Sequence, residues 1–351
     1  MRLFVSEFIC GGGWSGGERP ASLVREGAAM LRAFLRDLLR LPELRVVTTW
    51  DRRLSASLDV TSSALEVISV SGPQEEREVF ARLCAEVDGV SVIAPELDNE
   101  LLRRVSVVAS SARARSVAEP PTTLHSFNGS VEAIDLCGDK WALYEHLTDC
   151  GIPTIPTHRD HADERGSLPW PRVLKLRMGA GSQWMQLVLS ASEWEAAIRQ
   201  YDSRNRCTEA IAQPWIRGQS LSVGAIIDRA GKVHVLPVAE QFIAPEQGFA
   251  YLGGRIPATT ESGSLDSLIR ETLSTIPGLF GYVGVDLLLP EGSREAPLIV
   301  EINPRLTTSY VGYQKLCLDN LAALWIGEEP SPETLRWRAG CVEFNAAGEF
   351  R

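Results

Sequence analysis

From residue 1 to about residue 110, short apolar runs alternate with longer runs of helical period, and this restricts the fold more than any other feature of the chain. RLFVSEFI (2–9), LRVVTTW (44–50), ALEVISV (64–70) and GVSVIAP (89–95) read as strands. Between them, SLVREGAAMLRAFLRDLL (22–39) carries Leu23, Met30, Leu31, Phe34, Leu35 and Leu38 on one side of a helix. QEEREVFARLCAEV (74–87) and NELLRRVSVVA (99–109) read as further helices. Strands separated by helices cannot pair as hairpins, so this part predicts a parallel α/β sheet built from crossover units.

A stretch rich in Ser and Pro, residues 110–126, reads as a linker or an irregular crossing. Beyond it short β-rich runs dominate: RVLKLR (172–177), MQLVLS (185–190), EAIAQPWI (209–216), SLSVGAIID (220–228) and KVHVLPVAEQF (232–242). Asp228-Arg229-Ala230-Gly231 is a turn signal that makes the last two a hairpin. LDSLIRETLSTI (265–276) and DNLAALWIG (319–327) read as helices, and YVGVDLLL (282–289) and PLIVEIN (297–303) as strands.

A net charge of −10 without a basic cluster argues against nucleic acid as a partner. No apolar run approaches bilayer-spanning length, so no membrane partner is expected. Seven scattered cysteines with no C-x-x-C pair suggest neither a disulfide framework nor a zinc site. With no apolar h-region after Arg2, a cytoplasmic location is the expectation.

Gly11-Gly12-Gly13-Trp14-Ser15-Gly16 satisfies G-x-G-x-x-G after the first strand. In a dinucleotide fold, however, the helix begins directly on the glycines and an acidic residue closes the next strand about 20 positions on. Here the helical period begins only near Ser22, Asp37 lies inside the helix, and Asp51 comes too late. An NAD-binding turn, and with it a dehydrogenase, is therefore disfavoured.

Phosphate chemistry is better placed elsewhere. Lys175 interrupts an otherwise apolar strand, where burial is costly unless an anion meets it. Behind it, Met178–Gln183 (MGAGSQ) offers flexible amides and a hydroxyl suited to a triphosphate. Lys140, in CGDKWALYEHL, is the second candidate lysine. Asp286 lies inside one strand, and period-2 alternation puts Glu301 and Asn303 on one face of another. Two carboxylates and an amide oxygen suit Mg²⁺, with phosphate oxygens completing the shell. The alternative, a salt-bridged pair on a solvated face, fits poorly with the apolar Val285, Leu287, Val300 and Ile302 around them. Arg305 has the fork geometry to grip a phosphorylated intermediate.

This order of elements resembles the ATP-grasp superfamily: an α/β unit, DK, a strand lysine, GAGS, QPWIRG, a strand Asp and EINPR. SEF…GG, IAPE, DK and EINPRLTTS together are similar to the tyramine–glutamate ligase group of methanofuran biosynthesis. The resemblance implies an α/β and α+β chain of three parts. These are an open pre-ATP-grasp α/β domain (1–115), a small lobe (116–207) and a C-terminal lobe (208–351), the two lobes enclosing ATP. It implies that Lys140 and Lys175 bind the phosphates under a loop containing Gly179, Gly181 and Ser182. Gln213, Pro214, Trp215 and Ile216 would form the adenine hinge, and Asp286, Glu301 and Asn303 would hold one or two Mg²⁺, with Mn²⁺ as the alternative ion. The Glu that many relatives place after the hinge is missing; Gln219 or Ser220 stands there, which leaves the ribose contact open. Thr307, Thr308 and Ser309 are expected substrate contacts. Glu7, Gly12 and Gly13, at the carboxyl end of the first strand, read either as substrate contacts or as part of a surface loop.

The expected reaction is ATP-dependent joining of a carboxylate, activated as an acyl phosphate, to an amine, with release of ADP and phosphate. By resemblance the partners are small molecules, the glutamate side chain and tyramine or a related aromatic amine. Another amino-acid or peptide ligase of the superfamily and a non-catalytic nucleotide-binding protein are the rivals. A homodimer and a monomer both remain open.

Overall fold

The computed structural model describes residues 1–159, 168–179, 184–202, 210–258, 263–292, 297–327 and 333–351. The first sheet is parallel, in the order β3-β2-β1-β4-β5. Its elements are β1 (Arg2–Glu7), α1 (Ala21–Leu38), β2 (Arg45–Asp51), β3 (Leu65–Val70), α2 (Pro73–Glu86), β4 (Gly89–Ile93), α3 (Glu100–Ser116) and β5 (His125–Ser126). The strand order reverses between β1 and β4, and in open α/β sheets such a switch point is where ligands gather at the carboxyl ends of strands. All five residues of β4 and most of β1 are buried, as expected for central parallel strands covered on both faces.

The Ser-rich stretch expected to begin an irregular crossing at residue 110 is helical as far as Ser116. Ala and Arg favour helix there, and the Arg115 guanidinium, in the last turn, donates to the carbonyls of Cys84 and Val87.

The glycine turn after β1 is packed into the domain. Gly12 has φ +101°, a left-handed geometry, and a Cβ there would meet Val70 Cγ2 at 2.5 Å. Glu7 is 2% exposed and accepts from the N–H groups of Ile9 and Cys10. Burial pushes its carboxyl up to about 7, against those two donors. Helix α1 passes directly over it: a Cβ on Gly27 would lie 2.5 Å from Glu7 Oε1. Close by, Arg104 of α3 grips buried Glu76 of α2 through two 2.7 Å bonds and reaches Ser6 Oγ at 3.0 Å.

The chain continues through α4 (Val131–Gly138), α5 (Lys140–Asp149), β6 (His158–Arg159), β7 (Arg172–Leu176), β8 (Gln186–Val188), α6 (Ala191–Asp202) and β9 (Ala210–Pro214). The four strands form a small antiparallel sheet, β6-β9-β7-β8. Next come β10 (Gly218–Ile227), β11 (Val233–Val235), β12 (Ala239–Ala244), β13 (Ala250–Ile256), α7 (Gly263–Ser274), β14 (Gly281–Pro290), β15 (Leu298–Asn303), α8 (Tyr310–Leu316) and β16 (Val342–Asn345). These strands make the seven-stranded sheet β15-β14-β10-β12-β13-β16, with β11 paired to β10 in the expected hairpin. The run expected as a last helix, 319–327, is a short 3₁₀ turn, Leu321–Leu324.

Two of the sheets run past the boundaries expected at residues 115 and 207. The first sheet takes in β5 at residues 125–126, and the small sheet extends to Pro214. Helices α4 and α5 pack with the large sheet: Ala133, Cys137, Leu143 and Leu147 share a core with Leu221, Val223, Val283 and Val285.

Replacing Arg104 by Met leaves Glu76 buried without its cation, so a loss of about 3–5 kcal/mol is expected in denaturant unfolding. A loss below about 1 kcal/mol would show that the pair does not anchor α2 to α3.

Candidate active site

A cavity of about 750 Å³ opens between the small and large sheets, with α1 on one side. Its size is within the range of about 300–1,000 Å³ usual for small-molecule and cofactor sites. Lys140, Lys175, Gly179, Gln213–Ile216, Ser220, Asp286, Glu301, Asn303, Arg305 and Thr307–Ser309 all line it. Residues more than a hundred positions apart in sequence thus meet in one space. Gly181 and Ser182 lie outside the described residues. Glu7, Gly12 and Gly13 are not among the lining residues, and their packing under α1 and against Val70 gives them a structural task instead.

Lys140 is the first residue of α5, whose N-terminus is capped by Asp139 Oδ1 accepting from Trp141 and Ala142 N–H. Asp139 also receives the Arg177 guanidinium, and Lys140 N–H donates to Arg177 O at 3.1 Å. These bonds tie the start of α5 to the end of β7, which carries Lys175. The Lys140 ammonium donates to Gly179 O at 2.7 Å and stands 3.3 Å from Glu301 Oε2. Lys175 is 4% exposed. Burial, then the charge of Lys140, pushes it down to about 8, with Glu301 and Asp286 acting the other way.

Asp286 on β14 and Glu301 on β15 are register partners, with a bulge immediately after Asp286. Like charges directly opposite each other in a sheet are destabilising, so this pair calls for cations. Burial and the facing Glu301 both raise Asp286 above the ordinary carboxylate range. Burial acts on Glu301 in the same sense, but Lys140, Lys175 and Arg305 together hold it low. Gln241 Nε2 donates to Asp286 Oδ1 at 3.0 Å. The Asn303 amide donates to Asp286 Oδ2 at 3.2 Å and to Glu301 Oε1 at 3.4 Å. Turned over, the same amide would present its oxygen to a cation held by the carboxylates.

This donor set fits Mg²⁺. Among the described residues no cluster of three or more His, Cys, Asp and Glu could cage a metal. Two carboxylates and an amide instead suit a hard ion that keeps waters and shares phosphate oxygens.

Arg305 lines the cavity with its guanidinium already engaged. Its Nε and Nη2 make a bidentate pair with Glu96, at 2.9 and 2.7 Å, just beyond the carboxyl end of β4. Nη1 donates to Leu306 O and Nη2 to Asn303 Oδ1. This pair links the turn after β15 to the first domain, and the Arg305 charge also acts on Glu301. At the hinge, Trp215 N–H is committed to Pro171 O at 2.8 Å, and Gln213 Nε2 to Thr157 Oγ1 at 2.9 Å.

Several lining residues went unrecognised in the sequence: Glu26 and Met30 on α1, Glu240 and Gln241 on β12, Tyr251 on β13 and Glu291. Glu96 was visible in IAPE, at the end of a strand beside the switch point, and that position was a usable signal. Glu26 carried none, since a charged residue on an amphipathic helix usually faces solvent.

The family profile described as an ATP-grasp domain matches residues 137–309, and that of the pre ATP-grasp 3 domain matches residues 44–117. The chain belongs to the ATP-grasp superfamily. It is 24% identical over 301 residues to the tyramine–L-glutamate ligase of Methanocaldococcus jannaschii, covering 84% of this chain and 80% of that protein. With the tyramine–L-glutamate ligase of Methanocaldococcus fervens it shares 34% over 229 residues, 64% of this chain and 61% of the relative.

Solved structures agree on the fold. An Archaeoglobus fulgidus protein assigned to the ATP-grasp superfamily superposes with TM-score 0.69 at 22% identity, covering 98% of this chain and 92% of that one. N5-carboxyaminoimidazole synthetase from Staphylococcus aureus, complexed with ADP, gives 0.69 at 12% identity over 97% and 81% of the two chains. The biotin carboxylase domain of Hydrogenobacter thermophilus 2-oxoglutarate carboxylase, complexed with MgADP, gives 0.71 at 15%, over 97% and 73%. The pre-ATP-grasp and ATP-grasp domains follow in the expected order, and this ATP-grasp ligase is an enzyme that forms C–N bonds. Among the described residues no helix is long and apolar enough to cross a membrane.

Two measurements test the site. Asp286→Asn removes a like-charge opposition, so the nucleotide-free protein is expected to gain about 0.2–1 kcal/mol in thermal unfolding. The same variant is expected to lose the tightening of ADP binding by Mg²⁺; a variant that keeps it would remove Asp286 from the metal. Lys175 is charged below about 8 and neutral above. ADP affinity should therefore fall between about pH 7 and about pH 9.5, approaching tenfold per unit if only the ammonium form binds. A flat profile in calorimetric titration would take Lys175 out of phosphate contact.

Proposed function

We propose that the protein is an ATP- and Mg²⁺-dependent carboxylate–amine ligase that activates its acid as an acyl phosphate. One observation carries the reading: Lys140 and Lys175 meet the opposed pair Asp286 and Glu301 in a single cavity. A carboxylate resists attack by an amine because oxide is so poor a leaving group, whereas an acyl phosphate expels phosphate. Phosphoryl transfer asks mainly for positioning and neutralisation of charge. Lys140 and Lys175 orient and neutralise the triphosphate, and Arg305, held by Glu96, adds a fixed positive potential. Asp286, Glu301 and Asn303 would hold Mg²⁺, which when bound neutralises phosphate oxygens. Gln213–Ile216 line the end of the cavity that suits adenine, where Phe249 stacks edge-on against Trp215 at 5.5 Å. Gln219, Ser220 and Glu291 line the same cavity and are the candidates for a ribose contact.

For substrates, the relatives named tyramine–L-glutamate ligase support the side chain of glutamate and tyramine or a similar aromatic amine. The test is incubation with ATP, Mg²⁺, glutamate and tyramine, following ADP and phosphate together with the mass of the amide. Glu301→Gln is expected to lower kcat at least about 100-fold. Release of AMP and pyrophosphate would rule out the acyl phosphate route.

A further inference from the structure

We propose that Glu26 accepts the proton that the incoming amine must lose before it attacks, and so marks where the amine binds. The assignment rests on the ligase reading above. Helix α1 sends Glu26 and Met30, one turn apart, into the cavity from the first domain.

The other carboxylates there are otherwise engaged. Asp286 and Glu301 oppose each other across the strand pair, beside the two lysines. Glu96 is locked to Arg305, and Glu240 stands 4.0 Å from Arg255. Glu291 is exposed at the rim, beside Gln219 and Gly218. Glu26 forms no ion pair among the described residues. Thr308 lines the same cavity, and its side chain favours the ionised Glu26 carboxylate. Arg305 and Thr308, three residues apart on the segment after β15, both act on Glu26. Arg25 on its own helix, Arg305 after β15 and Tyr251 on β13 are the charged and titratable groups that face it.

The chemistry needs such a group. Tyramine is an ammonium at neutral pH and has no lone pair to offer. One N–H proton passes to the Glu26 carboxylate. The freed lone pair then forms the C–N bond to the acyl carbon, and the C–O bond to phosphate breaks. Phosphate leaves with that electron pair and takes the second nitrogen proton. Burial pushes the Glu26 carboxyl up to about 7, opposed by Arg305, Arg25 and Thr308. A base of that strength is matched to a proton transfer near neutrality.

Hydroxylamine separates this role from mere support, because it is largely neutral at pH 7 and needs no base. The probes are tyramine and hydroxylamine, each with glutamate, ATP and Mg²⁺, giving the amide or the γ-hydroxamate. Glu26→Gln is expected to lower kcat with tyramine at least about 100-fold. The loss with hydroxylamine should be at least about tenfold smaller, and Glu26→Asp should recover part of the tyramine rate. Hydroxamate formation also reports that the variant is folded. Equal losses with both nucleophiles would overturn the proposal, by making Glu26 structural. A change confined to KM for glutamate would also overturn it, by making Glu26 a contact for the acid's own ammonium. If the wild-type enzyme forms neither product while ADP still binds, the ligase reading itself fails first.

Discussion

Two carboxylates face each other at one register position of an antiparallel pair, Asp286 on β14 and Glu301 on β15. Left alone, such an arrangement works against the sheet that contains it. The surrounding structure supplies the compensation. Lys140 arrives from a helix start, Lys175 from a different sheet, and Arg305 from the turn that follows Glu301. Positive charge is therefore gathered at this point before any nucleotide is present. On the ligase reading, a triphosphate with its cation would complete this balance of charge.

Arg305 also makes the first domain part of the site. Its pair with Glu96 crosses from the turn after β15 to the switch point between β1 and β4. A second link runs through α1, whose height over the sheet is set by the contact between Gly27 and the Glu7 carboxyl. Glu7 in turn is fixed by the N–H groups of the glycine turn. The turn thus reaches the cavity at one remove: the Ile9 and Cys10 N–H groups hold Glu7, Glu7 packs against Gly27 of α1, and α1 carries Glu26 and Met30 to the cavity. A letter-for-letter dinucleotide pattern here serves backbone packing.

The fold was legible where the chemistry of the chain is local. Alternation of strand and helix specified the parallel sheet, and the period-2 spacing of Glu301 and Asn303 gave their shared face. Lys175 betrayed itself as a charge in an apolar strand, and it is indeed buried beside the carboxylates. Glu26 was illegible for the opposite reason: nothing along α1 distinguishes a glutamate facing a cavity from one facing water. Arg305 was recognised as a group at the site, but its partner was not, because Glu96 lies 209 residues away and only tertiary structure joins them. Residues 110–116 failed for another cause. Serine content suggested a loop, while alanine and arginine favoured helix, and Arg115 ties the end of that helix to the end of α2.

Lys140 carries the remaining mechanical consequence. The body of α5 packs with the large sheet through Leu143 and Leu147. Its first turn, however, is tied to the small sheet's side by the Asp139–Arg177 pair and by the Lys140 amide. The Lys140 ammonium then bridges Gly179, at the glycine loop, and Glu301, in the carboxylate pair. Movement of the small sheet against the large one would strain these bonds, since Gly179 follows β7 of the small sheet and Glu301 lies on β15 of the large one. Phosphate oxygens entering between them compete for the same ammonium and would relax its hold on both. On the ligase reading, the grip on the nucleotide and the link between Gly179 and Glu301 would therefore rest on one side chain. For that task a lysine at a helix start, tied to both sheets, is better suited than a second strand lysine.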